Sequence, residues 1–226
     1  MKAKISQWLT IILALGFLCM TAYAQNLVAD RDYAVIEPAF ATGNPDKIEV
    51  IEFFSYACNH CNDLHPLSTA WSRNLPKDVV FKRIPVGGSH FYTMMARTFY
   101  ALEALGELGR LDSTIFGALH GRRQAFNSEN SMIRWLASQG VNESQFRELF
   151  SSFAIDSKVR RGDQLASMAR VRGVPSLVVD GRYLILAKEA RTFADLLALT
   201  DRVIEKRRTG RRKTVDDSTA ATPRAT

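Results

Sequence analysis

The chain has 226 residues, with 30 Lys and Arg against 23 Asp and Glu, a formal charge of +7, 46% hydrophobic residues and three cysteines. Once its leader is removed, about two hundred residues can bury a sizeable core, near the upper end of one domain or one domain with an insertion. Three cysteines are too few for a disulfide framework, and the basic excess gathers at one end of the chain, so neither a stapled mini-domain nor a generally basic nucleic-acid binder is indicated.

Residues 1–24 read as a secretory signal: Lys2 and Lys4, an apolar stretch from Trp8 to Met20, then Ala22-Tyr23-Ala24 with cleavage after Ala24. The stretch is too short and wrongly flanked for a permanent anchor. A lipoprotein signal at Cys19 is set aside because Leu18, not a small residue, precedes it. Cleavage lowers the charge by two and leaves Cys58 and Cys61 as the only cysteines. A pair separated by two residues constrains little unfolded-chain entropy, which argues for a working redox pair over a staple.

In residues 25–46, Tyr33 to Ile36 is a short edge-strand candidate and Gly43-Asn44-Pro45 a turn. The β-branched and aromatic run Ile48 to Phe54 predicts a buried strand, and Asn59 to Leu75 a helix with Leu64, Leu67 or Ser68, Trp71 and Leu75 on its inner face. Pro66 should bend that helix. Val79 to Val86 predicts a second strand, ended by Gly87-Gly88. Residues 91–106, 108–120, 129–138 and 143–153 carry helical periodicity, and sixty residues of helix after two strands indicate an inserted helical domain, bounded as 88–157.

A helix from Lys158 to Arg172 then leads into Gly173-Val174-Pro175 and two strands joined at Asp180-Gly181, the signature of a type I′ hairpin. Phe193, Leu196, Leu197, Leu199 and Val203 line a closing helix. This order requires a central mixed sheet made by 25–87 and 158–206, with the hairpin on the far side of the insertion and a right-handed crossover through the cysteine helix. Residues 207–226, with Arg207, Arg208, Arg211, Arg212 and Lys213, read as a basic disordered tail, solvated rather than bound to lipid or nucleic acid. No repeat period and no glycine-rich phosphate loop occurs.

The chemistry centres on Cys58-Asn59-His60-Cys61 at the strand-to-helix junction. The positive end of the helix favours negative charge on the Cys58 sulfur, His60 can add a hydrogen bond or positive charge, and Cys61 one turn on is covered. Cys58 is therefore the attacking and attacked sulfur, and Cys61 its buried partner. Glu52 is either a buried acid moving protons to and from Cys61 or an end-of-strand carboxylate reaching solvent. Val174-Pro175 could be a helix stop, but beside a redox pair the sharper reading is a cis bond placing the Val174 backbone next to the sulfurs for an extended peptide client. A zinc site is disfavoured because nothing supplies the second half of the ligand set for Cys58 and Cys61, and His65, His90 and His120 are singletons.

Glu52-Phe53-Phe54-Ser55-Tyr56 before the cysteines, and Arg172-Gly173-Val174-Pro175 followed by Val179-Asp180-Gly181-Arg182-Tyr183, resemble the DsbA family of periplasmic thiol oxidases across residues 27–205. The resemblance implies an α/β, thioredoxin-like fold with an inserted helical domain. It implies an attacking Cys58, a resolving Cys61, thiolate support from His60, a buried acid at Glu52 and a cis-Pro175 after Val174. It further implies a periplasmic location, reduced exported polypeptides as clients, and reoxidation by a quinone-coupled inner-membrane oxidase of the DsbB type; a monomer is expected, and nothing in the sequence requires a bound cofactor. Asn59 stands where better known members carry Pro, which bears on potential and rate rather than on the reaction. Two other readings compete: a disulfide isomerase or reductant on the same scaffold, and a non-catalytic peptide-binding module.

Overall fold

The run Ile-Glu-Val-Ile-Glu-Phe-Phe forms β2 (Ile48–Phe54), in which every residue is buried. β-Branched and aromatic side chains suit a pleated strand covered on both faces. The computed structural model describes residues 26–122 and 124–220, with side chains through residue 212. Residues 1–24, read as the signal, lie outside the described residues. β2 pairs in parallel with β3 (Val79–Pro85) and antiparallel with β4 (Ser176–Val179). β5 (Tyr183–Ile185) and β1 (Tyr33–Val35) complete a five-stranded mixed sheet in the order β1-β5-β4-β2-β3.

The β4–β5 connection turns at Asp180 and Gly181, whose φ angles of 55° and 61° fit the type I′ geometry expected of Asp-Gly. A Cβ at Gly181 would lie 2.2 Å from the Phe40 carbonyl oxygen, so the position admits only glycine without rearrangement.

Helix α1 (Asn59–Ser72) follows β2, and the insertion contributes α2 (His90–Ala104), α3 (Leu108–Phe116), a π-helical turn at Gly117–Gly121, α4 (Glu129–Ser138) and α5 (Glu143–Phe150). Then come α6 (Phe153–Met168) and, after the hairpin, α7 (Phe193–Ala220). The period of two along β2 sends Ile48 and Val50 to one face, against Leu64 of α1 and Leu197, Val203 and Ile204 of α7. Ile51 and Phe53 point the other way, onto Ala166 of α6 and Ala169. A third cluster fills the insertion around Phe99, Ile115 and Phe146 and takes in Phe54, Tyr56 and Cys61, so the redox end of the sheet is continuous with the insertion's core.

Three expectations are corrected and one open alternative is settled. The helix placed at Lys158 begins at Phe153, because Ser152 in an extended conformation accepts the Ile155 N–H and caps it, so a boundary at 157/158 falls inside one helix. The same helix ends at Met168, short of Arg172, where Arg170 turns left-handed with φ 55°. On α1, Ser68 rather than Leu67 takes the inner position, with Leu67 exposed. Finally, the stretch read as a disordered tail is helix α7 as far as Ala220. Arg207 and Arg211, one turn apart, both reach the buried Asp180, and Arg208 holds Asp78 through two bonds of 2.7 and 3.0 Å. These paired carboxylates supply the anchorage that local composition does not reveal. Residues 221–226 lie outside the described residues.

Candidate active site

Cys58 is the N-cap of α1, with φ −94° and ψ 121°, and its sulfur accepts the Cys61 peptide N–H at 3.4 Å. No acidic residue stands in the first turn of that helix. Cys58 is half-buried and Cys61 buried. Burial pushes the Cys61 thiol far above its ordinary range, with the Cys58 sulfur and Glu52 adding to the effect and a hydrogen bond to the Ser55 backbone opposing it. The Cys61 sulfur is therefore held as a thiol, and ionising it requires a base at hand.

The Val174–Pro175 peptide is cis, and the Val174 carbonyl accepts from Cys58 Sγ at 3.2 Å. One hundred and sixteen residues separate the two in sequence; the β4 pairing with β2 brings them together. His60 is exposed beside Cys58, its ring 6.4 Å from that of Phe193 at the start of α7. Cys58, Cys61, His60, Val174 and Pro175 thus share one edge of the molecule.

Glu52 lies on the same face of β2 as Ile48 and Val50, turned toward α1, and has no solvent exposure. It is not the solvent-reaching carboxylate that one sequence reading allowed. Burial pushes its carboxyl up to about 7, against the opposing Arg83 charge and a Ser68 Oγ hydrogen bond of 3.3 Å, while Asp112 pushes it further up. Parallel register sets Arg83 of β3 directly beside Glu52, with Nε 3.5 Å from Oε2. The guanidinium lies 3.8 Å over the Phe54 ring and donates through Nη1 to Asp112 of α3 at 2.5 Å. Tyr56 OH donates to the other Asp112 oxygen at 2.6 Å, and His65 Nε2 shares a 3.0 Å bond with Ser113. His120, on the π-helical turn, donates to the Tyr56 carbonyl at 2.7 Å. The loop leading to Cys58 is thereby tied to the insertion at both ends of Tyr56.

Residues 49–198 match the DSBA-like thioredoxin domain family.

The chain belongs to the DsbA family.

It is accordingly a thiol:disulfide oxidoreductase with the family's thioredoxin-like α/β fold. It is 34% identical over 198 residues to the thiol:disulfide interchange protein DsbA of Bordetella pertussis, covering 86% of this chain and 93% of that protein. Against DsbA of Pseudomonas aeruginosa identity is 32%, with 91% and 98% covered. The crystal structure of Pseudomonas aeruginosa DsbA superposes with a TM-score of 0.79 at 31% identity, covering 84% of this chain and 98% of that one.

Tyr56, Arg83, Asp112 and His120 are the DsbA-site neighbours that sequence reasoning missed. Arg83 had a readable signal: Val79 and Phe81 alternate inward along β3, which puts Arg83 on the core face opposite Glu52. Asp112 and His120 had none, since their partners lie in other elements. Among the described residues no group of three or more His, Cys, Asp or Glu is placed to hold a metal ion, and no helix is long and apolar enough to cross a membrane.

Proposed function

We propose that this protein works in the periplasm as a dithiol oxidase, donating a Cys58–Cys61 disulfide to reduced exported polypeptides. The observation that carries the reading is the asymmetry of the pair: an accessible sulfur capping a helix and touching the Val174 carbonyl, with a buried thiol behind it. A client thiolate attacks Cys58 Sγ, the intramolecular S–S bond breaks, and its electron pair leaves on Cys61. Because burial favours the protonated form there, Cys61 takes up a proton; the burial of Glu52 and the effect of its charge on the Cys61 thiol support Glu52 as the group that supplies it. The client's second thiolate then attacks the client sulfur of the mixed disulfide, and Cys58 departs as a thiolate at the helix N-terminus. The client loses two electrons and the protein gains them.

In this scheme Val174 pairs its backbone with the extended client, Pro175 fixes that backbone beside Cys58, and His60 supports the leaving thiolate from the exposed rim. Reoxidation by a quinone-coupled membrane partner of the DsbB type completes the cycle. The protein should accelerate oxidative refolding of a reduced multi-disulfide substrate when supplied as the disulfide form. Its reduction potential against glutathione decides between oxidase and reductant: an oxidase lies well above about −200 mV and a reductant below about −250 mV.

A further inference from the structure

Two carboxylates compete for one cation, the largely enclosed Arg83 beside Glu52, and the competition is unequal. Arg83 makes its hydrogen bond to Asp112 at 2.5 Å, whereas at 3.5 Å from Glu52 its Nε has no hydrogen-bond partner among the described residues, nor has Glu52 Oε1. Both Asp112 oxygens are occupied, one by Arg83 and one by Tyr56. Among the described residues, Glu52 accepts a hydrogen bond only from the Ser68 hydroxyl.

We propose that Asp112, on the inserted domain, is a positioning residue that claims Arg83 as its own counterion and so leaves Glu52 free to carry the proton that Cys61 exchanges.

The inference rests on the reading of Glu52 as the proton carrier. The charge count explains why a second acid is needed. Were Arg83 and Glu52 alone in the pocket, the cation would hold Glu52 permanently ionised, since an unpaired buried guanidinium is costly and an adjacent carboxylate relieves it. With Asp112 present, Arg83 and Asp112 form a neutral unit and Glu52 is left to gain and lose a proton. The other groups facing Glu52 add no competing charge. From α1 these are Cys61, held as a thiol, His65, whose proton affinity is lowered by burial and then by Arg83, and Ser68. From the loop before α1 comes Tyr56, whose hydroxyl burial keeps protonated. Asp112 also sits where the cluster meets solvent, its side chain 16% exposed at a cleft of about 650 Å³ shared with His65, Arg83 and Ser113. Its own charge is therefore less costly than that of the enclosed Glu52.

The test is the pH profile of ring closure in the full mature protein. The reduced protein is mixed with oxidised glutathione. Cys58 forms the mixed disulfide and releases one glutathione thiol, then Cys61 loses its proton, attacks Cys58 Sγ and expels the second glutathione thiolate. The rate of that second step is measured from pH 5 to 9 by acid quench. In the native protein it should rise to a plateau with a midpoint near 7, as expected of Glu52 acting as base. Asp112→Asn should move the midpoint down by a unit or more, a tenfold change in proton concentration. It should also lower the plateau about threefold, because a weaker base transfers protons less readily. Asp112→Ser, which keeps an acceptor for Tyr56, should do the same and carries the test if the asparagine variant does not fold. Glu52→Gln should abolish the midpoint. A midpoint that stays near 7 in the Asp112 variants, while Glu52→Gln removes it, overturns the role of Asp112 alone. A midpoint that survives Glu52→Gln overturns the Glu52 reading and the inference with it.

Discussion

Replacing Glu52 with Gln should make the reduced protein more stable, by an amount that depends on pH in a defined way. Glu52 is fully enclosed and its carboxyl is pushed up to about 7, chiefly by burial. In the unfolded chain it returns to an ordinary value, about 4.3 for a free glutamate. Between those two values the folded state keeps a proton that the unfolded state has released, so this group lowers stability as pH rises through the interval. At about 1.4 kcal/mol per unit over the interval, the cost grows from nothing near pH 4 to about 4 kcal/mol above pH 7. A glutamine of the same shape never incurs it. Urea unfolding of the reduced native and Glu52→Gln proteins at pH 4, 6 and 8 should give two curves that nearly coincide at the first pH and lie about 4 kcal/mol apart at the last. A gap that stays constant across the range would mean that Glu52 titrates in the folded protein as it does in the unfolded chain, and the proton-carrier role would be lost.

Ending the chain after Lys206 removes Arg207, Arg208 and Arg211 and leaves the buried Asp180 without either of these arginine partners. Stripping a buried carboxylate of its partners should cost about 3 kcal/mol, a melting temperature lower by roughly 6 to 12 °C in a scanning experiment. Oxidation of a small dithiol by the surviving folded protein should be unchanged, because the arginines grip the end of the sheet remote from Cys58; a thermally neutral truncation would show that these ion pairs are surface decoration. Gly181→Ala forces a left-handed alanine and a Cβ 2.2 Å from the Phe40 carbonyl, so a loss of more than about 2 kcal/mol in denaturant midpoint analysis is expected. A loss below 1 kcal/mol would show that the turn can move away from Phe40.

The elements that could be read from residues alone are those whose signals are local. Ile48–Phe54 announces itself by β-branched and aromatic density, Asp180-Gly181 by the backbone angles those residues tolerate, and Cys58-x-x-Cys61 by its place between a strand and a helix. The arginines after Lys206 were misread because composition reports only local hydration. Their order comes from Asp180 and Asp78, which are 27 and 130 residues away from Arg207 and Arg208. The buried cluster was half legible for a related reason. Glu52 and Arg83 meet through strand register, which alternation implies, whereas Asp112 joins them only once α3 packs over the end of the sheet. Long-range polar pairs leave no period in sequence, and their energy depends on enclosure that only the assembled core provides.

The central claim is that the accessible sulfur at the helix cap does the chemistry and the enclosed one resolves it. Mass spectrometry of complexes trapped on a reduced unfolded substrate tests it directly. The Cys61→Ser protein, charged at its remaining cysteine with an activated disulfide, should accumulate a mixed disulfide joined through Cys58, while Cys58→Ser treated in the same way should accumulate almost none. Equal trapping through Cys61, or none through Cys58, would contradict the account.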